Sequence, residues 1–191
     1  NFSKEDYQKV KNMPIMSGKR KKVLIHAGSG WRKDWSNEKW AKAIKKINIL
    51  GYFKFIFIGG GKEEERNFKI IQRNLIFKVY SIIGKVNLAE LLLIMRLSDY
   101  FIGIDSGPKN LAHLADLRSV GLLGPGPKHF MPLSKKDITI AKPSCRTERL
   151  QLFCFEKERS IDKISVNDVY EGFKELLKKN KFKTIHTLSF L

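Results

Sequence analysis

The chain of 191 residues is 42% hydrophobic and 29% charged, which is typical of one soluble globular domain with a substantial core. Its apolar runs, such as Phe53–Ile58, are too short to span a bilayer, and we expect no signal peptide because the first residues are polar. Lys and Arg exceed Asp and Glu by 18, which favours contact with polyanions. The lysines are spread along the whole chain, however, so we prefer an ordinary solvated surface as the explanation.

The two cysteines, Cys145 and Cys154, have no accompanying His or Cys pair, so they do not predict a zinc site. We expect both thiols to be reduced and to serve packing. The chain does not begin with Met, and we therefore expect it to be part of a longer protein.

Apolar runs and helix-start signals alternate along the chain. Residues 1–20 are polar and basic and predict a linker or an interdomain helix. Residues 180–191 have no clear hydrophobic period and are expected to form a C-terminal tail. The fourth helix is expected to bury Leu88, Leu91, Leu92 and Met95, and the fifth Leu111, Leu114 and Ala115. Strands are predicted at residues 22–26, 53–58, 79–83, 100–104, 119–123 and 138–141, and helices from about residues 3, 36, 63, 87, 108 and 165.

The predicted strands are apolar throughout rather than alternating between apolar and polar residues. This pattern is typical of a parallel sheet that is covered on both faces, which makes residues 21–179 a doubly wound, Rossmann-like α/β domain. Ligands bind such sheets beyond the carboxyl ends of the strands. Loops 27–35, 59–63 and 105–110 follow the carboxyl ends of predicted strands and are therefore candidate ligand loops. All three carry glycine and polar residues.

The turn at residues 105–108 joins a buried strand to a helix. Asp105 and Ser106 are expected to cap this helix, Gly107 allows a close approach to the backbone, and Pro108 suits the first helical turn. Free amides at such a helix start can bind a phosphate or another anion. An ordinary capped helix is the alternative explanation.

The other two loops add candidate groups. Gly28, Ser29 and Gly30 offer amides and a hydroxyl, and Arg32 and Lys33 add positive charge, a combination that suits a diphosphate. In the second loop Glu63 could accept hydrogen bonds from a ribose or could simply complement the helix dipole. His26 is expected to be a hydrogen-bonded core histidine and His113 to be structural, and at least one of Trp31 and Trp35 is expected to pin the first loop.

Several segments together resemble glycosyltransferase family nine, the ADP-heptose:lipopolysaccharide heptosyltransferases. The resemblance covers residues 20–178 and rests above all on Gly103–Ala112, with its Asp-Ser-Gly-Pro element, and on His26–Trp35. It implies one half of a GT-B fold, namely the C-terminal domain that binds the nucleotide-sugar donor. The N-terminal domain, which carries the acceptor site and the general base, would then be a partner outside this chain.

The resemblance also implies roles for individual residues. Ser29 and Lys33 would hold the diphosphate, with Lys33 stabilising the leaving group, and Glu63 would contact the ribose. The backbone near Val86 would contact the adenine, and residues 105–107 the sugar and phosphates. Asn110 stands where family members usually have His, and it cannot supply a positive charge.

The resemblance implies an inverting glycosyltransferase that moves heptose or a similar sugar from an ADP-sugar to a lipopolysaccharide core acceptor. We expect no metal and no cofactor, and a cytoplasmic position at the anionic face of the inner membrane. The donor half alone is expected to be inactive. A non-catalytic nucleotide- or polyanion-binding module is the alternative, whereas a specific nucleic-acid binder has no recognisable motif in its support.

Overall fold

The computed structural model describes residues 2–28, 34–124, 134, 136–142 and 160–187. The strands are β1 (Lys21–His26), β2 (Phe53–Phe57), β3 (Tyr80–Ser81), β4 (Tyr100–Ile104), β5 (Arg118–Leu123) and β6 (Asp137–Ala141). The α-helices are α1 (Lys4–Lys11), α2 (Asn37–Asn48), α3 (Lys62–Arg73), α4 (Leu88–Arg96), α5 (Gly107–Leu114) and α6 (Val166–Thr187), with a 3₁₀ turn at Ser160–Lys163.

The strands form one sheet in the order β3-β2-β1-β4-β5-β6, and every neighbouring pair is parallel. This order confirms the predicted doubly wound, Rossmann-like fold. The strand order reverses between β1 and β4, where Ile25 lies beside Ile102. A crevice at such a reversal is the usual ligand site of open α/β sheets, so the topology already marks one place on the sheet edge.

Alternate residues of the central strands enter two separate cores. Val23 and Ile25 pack with residues of α2, α3 and α6 on one face of the sheet. Leu24 and Phe101 pack with α1, α4 and α5 on the other face. Because both faces of β1 and β4 are covered, the strands must be apolar throughout, which is the pattern that the sequence shows.

The lead-in segment before β1 is docked on the domain. The side chain of Val10 is fully buried in the core beneath α4, and the ammonium of Lys9 lies 2.5 Å from a carboxylate oxygen of Glu90. Lys54 of β2 donates to the carbonyls of Ile15 and Ser17 at 3.0 and 2.6 Å. Its burial lowers the pKa of the Lys54 ammonium, and the neighbouring cations lower it further.

Two predicted core positions are wrong. Leu88 and Leu114 are 71% and 70% exposed. Ala115 is buried as predicted, but the residue one turn before it that is buried is Ala112 rather than Leu111 or Leu114. The small side chains of both alanines let the helix approach the sheet closely. In α4 the buried stripe starts only with Glu90, because Leu88 is the first residue of the helix.

The last helix is longer than the sequence pattern predicts. Ser165 and Asp168 cap α6 as predicted, since the Asp168 amide donates to the Ser165 hydroxyl at 3.0 Å and the Ser165 amide to the Asp168 carboxylate at 2.8 Å. The helix was expected to end near Lys179 but continues to Thr187. No Gly or Pro follows Gly172 before Thr187, so nothing local breaks it.

None of the described helices is both long enough and apolar enough to cross a membrane.

Candidate functional site

Three loops adjoin at the carboxyl edge of the sheet. They follow β1, β2 and β4, which are neighbours in the sheet, so that Gly28, Gly59 and Asp105 emerge side by side. Ser29, Gly30 and Lys33 of the predicted site lie outside the described residues, as do Trp31, Arg32 and both cysteines. The site is therefore described from the ends of the first loop and from the whole of the other two.

The two ends of the first loop are packed against each other. Gly28 has φ +117°, and a Cβ at this position would lie 2.2 Å from Oδ1 of Asp34. Only glycine fits there, because the backbone conformation and the space both exclude a side chain. The loop that would carry Ser29 and Lys33 thus leaves and rejoins the domain at one point.

Two tryptophans fix that point to the domain. The indole of Trp40 donates to the carbonyl of Ala27 at 3.1 Å, and the indole of Trp35 donates to the carbonyl of Ile164 at 2.9 Å. Both rings are buried and meet edge to face with centroids 5.2 Å apart. Trp35 therefore pins the first loop, as the sequence predicts of at least one tryptophan.

His26, at the end of β1, connects the three loops. Its Nδ1 lies 3.1 Å from Oγ of Ser106 in the third loop, and its Nε2 lies 3.8 Å from Oε1 of Glu64 beyond the second loop. The imidazole is 2% exposed. Burial lowers the pKa of His26 although the Glu64 carboxylate opposes this, so the imidazole is neutral at pH 7.

A neutral imidazole carries one N–H, and the neighbouring charge selects where it sits. With the proton on Nε2, the ring presents a positive edge to the Glu64 carboxylate and its Nδ1 accepts a hydrogen bond from the Ser106 hydroxyl. Ser106 is the N-cap residue of α5, but its side chain makes no capping hydrogen bond. The predicted capping by Ser106 is thus wrong, because the single proton of its hydroxyl is directed towards two other acceptors, Nδ1 of His26 and the carbonyl oxygen of Ile104, which lie 3.1 and 3.0 Å from Oγ.

The second loop is closed by Glu64 rather than by Glu63. The Gly61 amide donates to Oε2 of Glu64 at 2.9 Å, and a Cβ on Gly59 would lie 2.8 Å from Cγ of the same side chain. Glu63 is exposed on the first turn of α3. Sequence reasoning missed Glu64, for which the three-residue spacing from Gly61 to Glu64, typical of an N-terminal capping arrangement, was the available signal.

The β3–α4 loop borders the second loop. Gly84 has φ +67°, and its amide donates to the carbonyl of Gly59 at 3.0 Å. Val86 is half-buried just before Asn87, whose side chain accepts from the Glu90 amide at 2.9 Å and caps α4. The backbone around Val86 is therefore held beside the glycines of the second loop.

The start of α5 is open. Gly107 is exposed, and no atom lies within 4 Å of the place that its Cβ would occupy. Asp105 is half-buried at the foot of the turn, and Asn110 is exposed one turn further on. Backbone amides at a helix start whose N-cap side chain makes no capping hydrogen bond are suited to bind an anion.

A buried ion pair anchors α5 from below. Lys109 is completely buried, and its ammonium lies 3.1 Å from Oδ1 of Asp137 in β6. Asp137 also contacts the hydroxyl of Ser119 and lies 3.3 Å from Nδ1 of His113. The sequence shows Lys109 only as one more lysine, because its partner lies 28 residues further along the chain.

Among the residues that the structure describes, no three His, Cys, Asp or Glu side chains are grouped so that they could hold a metal ion.

Comparison with known proteins defines the family. The sequence matches the profile of glycosyltransferase family 9 (heptosyltransferase) over residues 2–164. The chain belongs to glycosyltransferase family 9. A comparison with curated protein sequences gave no match to this family 9 chain.

Solved structures show the same fold. The chain superimposes on ADP-heptose lipopolysaccharide heptosyltransferase II of E. coli with a TM-score of 0.76 at 20% identity, covering 95% of this chain and 54% of that one. A family 9 glycosyl transferase of Veillonella parvula superimposes with a TM-score of 0.78 at 19% identity, covering 94% of this chain and 53% of that one. E. coli heptosyltransferase WaaC with ADP-2-deoxy-2-fluoro heptose superimposes with a TM-score of 0.64 at 19% identity, covering 88% of this chain and 47% of that one. The family 9 chain thus spans about half the length of these structures.

Proposed function

We propose that this family 9 chain is the donor-binding half of an inverting glycosyltransferase that transfers heptose or a similar sugar from an ADP-sugar to a lipopolysaccharide core acceptor. The observation that carries the proposal is the junction of three glycine-containing loops at the strand-order reversal, next to the start of α5, where the side chain of the N-cap residue Ser106 makes no capping hydrogen bond. The relatives support the donor class, since one E. coli heptosyltransferase was solved with ADP and also with a fluorinated ADP-heptose.

In this proposal the diphosphate lies between the first and third loops. The amide of Gly107 and the α5 dipole contact it from one side, and Gly28, Ser29, Gly30 and Lys33 from the other. Lys109 adds a buried positive charge in the first turn of α5, although Asp137 largely neutralises it. Asp105 and Ser106 orient the sugar and phosphates, with the Ser106 hydroxyl held in place by His26.

The nucleoside lies towards β3. Glu63, exposed at the start of α3, accepts hydrogen bonds from the ribose, and the backbone near Val86 contacts the adenine. The second loop leaves room there, because no atom lies within 4 Å of the place that a Cβ on Gly60 would occupy.

The chemistry is a direct displacement at the anomeric carbon. The acceptor oxygen forms the new glycosidic bond, the bond to the diphosphate oxygen breaks, and ADP leaves with the electron pair. A general base in the N-terminal domain takes the acceptor proton, and Lys33 with the helix amides stabilises the charge on ADP. This scheme calls on no metal and no separate cofactor, and the enzyme would work in the cytoplasm at the inner membrane surface.

Titration calorimetry with ADP and UDP tests the donor site. We expect micromolar binding of ADP in preference to UDP, and its loss in Lys33→Ala, while Lys42→Ala on the outer face of α2 serves as a matched control. Equal binding of both nucleotides, or an unchanged affinity in Lys33→Ala, would contradict the proposed site.

A second experiment concerns catalysis. The isolated 191 residues should transfer no sugar, since the base and the acceptor site would lie in the other domain. Turnover by this chain alone would overturn the proposed division of labour.

One residue favours a non-catalytic nucleotide-binding module as the second candidate. Asn110, exposed one turn inside α5, replaces the His that the family usually has there, and an amide cannot supply a positive charge. Restoring the residue with Asn110→His distinguishes the two candidates. Tighter ADP binding in that variant would favour the transferase, and an unchanged affinity would favour the module.

A further inference from the structure

The amino edge of the sheet, opposite the nucleotide site, carries a concentration of cations. Segments 19–22, 45–54 and 73–80 lead into β1, β2 and β3, which are neighbours, and we call them together the amino-edge patch. The patch contains nine Lys and Arg residues and no Asp or Glu, so it accounts for half of the net charge of +18. Since 18 or more residues separate consecutive segments in the sequence, only the strand order brings them together.

The cations of the patch repel one another. The pKa of the Lys54 ammonium is lowered first by burial and then by the charges of Lys22, Arg20 and Lys78. The carboxylate that borders the patch, Asp99 before β4, accepts from the backbone amide of Lys22 at 2.8 Å. A cation in the last turn of a helix is stabilised by the helix dipole and needs no ligand to explain it. This explanation does not apply to Arg20, Lys22 and Lys78, because they do not lie on helices.

Large apolar side chains project from the same patch. Ile49 is 84% exposed after α2, Ile76 is 95% exposed after α3, and Tyr52 is 67% exposed before β2. The guanidinium of Arg20 lies 4.3 Å from the centre of the Tyr52 ring, so cation and aromatic ring are presented together. Folding gains nothing from leaving two isoleucines in water, which points to a partner that buries them.

We infer that the amino-edge patch binds an anionic lipid bilayer. Lys and Arg attract the lipid phosphates, exposed isoleucines enter the interfacial region, and Tyr is suited to the headgroup level. A nucleic acid matches the positive charge but offers no apolar environment for Ile49 and Ile76. The combination of cations and exposed isoleucines therefore favours lipid. This inference gives the membrane contact of the proposed function a location, and it leaves the carboxyl edge free for the donor.

Sedimentation of the full chain with vesicles tests the inference without any nucleotide. Vesicles of phosphatidylcholine with phosphatidylglycerol should bind the chain, in a salt-sensitive manner, and pure phosphatidylcholine vesicles should not. Arg73→Gln with Lys78→Gln should lower the affinity by about tenfold or more, because each cation near the surface contributes about fivefold. Lys62→Gln with Arg66→Gln, which removes two charges from the other end of α3, should have a clearly smaller effect.

A second pair of variants tests the apolar part. Ile49→Ser with Ile76→Ser should weaken vesicle binding by about tenfold or more, whereas Leu88→Ser, which removes an equally exposed apolar side chain from the carboxyl edge, should not. The two patch variants, Arg73→Gln with Lys78→Gln and Ile49→Ser with Ile76→Ser, should keep the ADP affinity of the parent chain, so that failure of the lipid inference can be told from failure of the donor site. Equal losses in test and control variants, or tight oligonucleotide binding that the patch variants abolish without vesicle binding, would overturn the inference.

Discussion

The two edges of this sheet present charge in opposite ways. At the carboxyl edge the described source of positive potential is the backbone at the start of α5, where the N-cap side chain makes no capping hydrogen bond and Gly107 is exposed. At the amino edge it comes from the side chains of the amino-edge patch, which surround exposed isoleucines. The fixed amides of the carboxyl edge suit one small anion of defined shape, whereas mobile lysines suit a broad anionic surface. The contrast teaches that one sheet can present positive charge at its two edges by different means, with backbone amides at one edge and side chains at the other.

The largest expected effect is on the free energy of unfolding, when a buried, paired charge is removed rather than an exposed one. Lys109→Met leaves the buried carboxylate of Asp137 without its cation, so we expect the free energy of unfolding to fall by about 3–5 kcal/mol. Lys78→Met in the amino-edge patch should change it by no more than about 0.5 kcal/mol. Urea denaturation measures both values. If Lys109→Met with Asp137→Asn is no more stable than Lys109→Met alone, the ion pair is not the cause.

The next test separates glycines that are needed for folding from glycines that face a ligand. Gly28→Ala should lower the stability by about 2 kcal/mol or more, because φ is +117° and the new Cβ would clash with Asp34. Gly107→Ala has open space and should stay within about 0.5 kcal/mol of the parent. Calorimetry should nonetheless show weaker ADP binding by Gly107→Ala. An unchanged ADP affinity would remove the start of α5 from the site.

The smallest expected effect is a pH dependence that only the carboxyl edge should show. Folding lowers the pKa of His26 by burial, so below pH 6.5 the unfolded chain takes up a proton that the folded chain does not. Stability should therefore fall as the pH drops from 7.5 to 5.5, by at most about 1.4 kcal/mol per pH unit for this one group. Urea midpoints across this range should change less in His26→Gln. Parallel curves for the two proteins would show that His26 is not responsible.

The strands and the carboxyl-edge loops are predictable because their signals are local. An apolar run such as Tyr100–Ile104 followed by Asp105 and Ser106 predicts a strand and a turn without knowledge of the rest of the chain. The buried faces of short helices are harder, because one residue rotates the stripe by about 100°. That rotation explains why Leu114 was expected in the core and Ala112 lies there instead.

Long-range partners could not be predicted from one sequence. Ser106 meets His26 across 80 residues, and Asp137 meets Lys109 across 28, and no local pattern indicates either pair. The amino-edge patch escaped notice for the same reason, since its lysines look dispersed until the strand order is known. Ser29, Gly30 and Lys33 remain predictions, because they lie outside the described residues.

The carboxylate of Glu90 couples the lead-in helix α1 to the β3–α4 loop. One oxygen of Glu90 accepts from the Asn87 amide at 2.9 Å, and the other pairs with Lys9, which belongs to the docked lead-in helix. The β3–α4 loop and α1 thus share a single side chain, so a displacement of α1 would weaken the cap at the end of this loop. Amide hydrogen exchange in residues 84–87 should therefore follow the undocking of α1 and report on any force that the preceding chain transmits to the site.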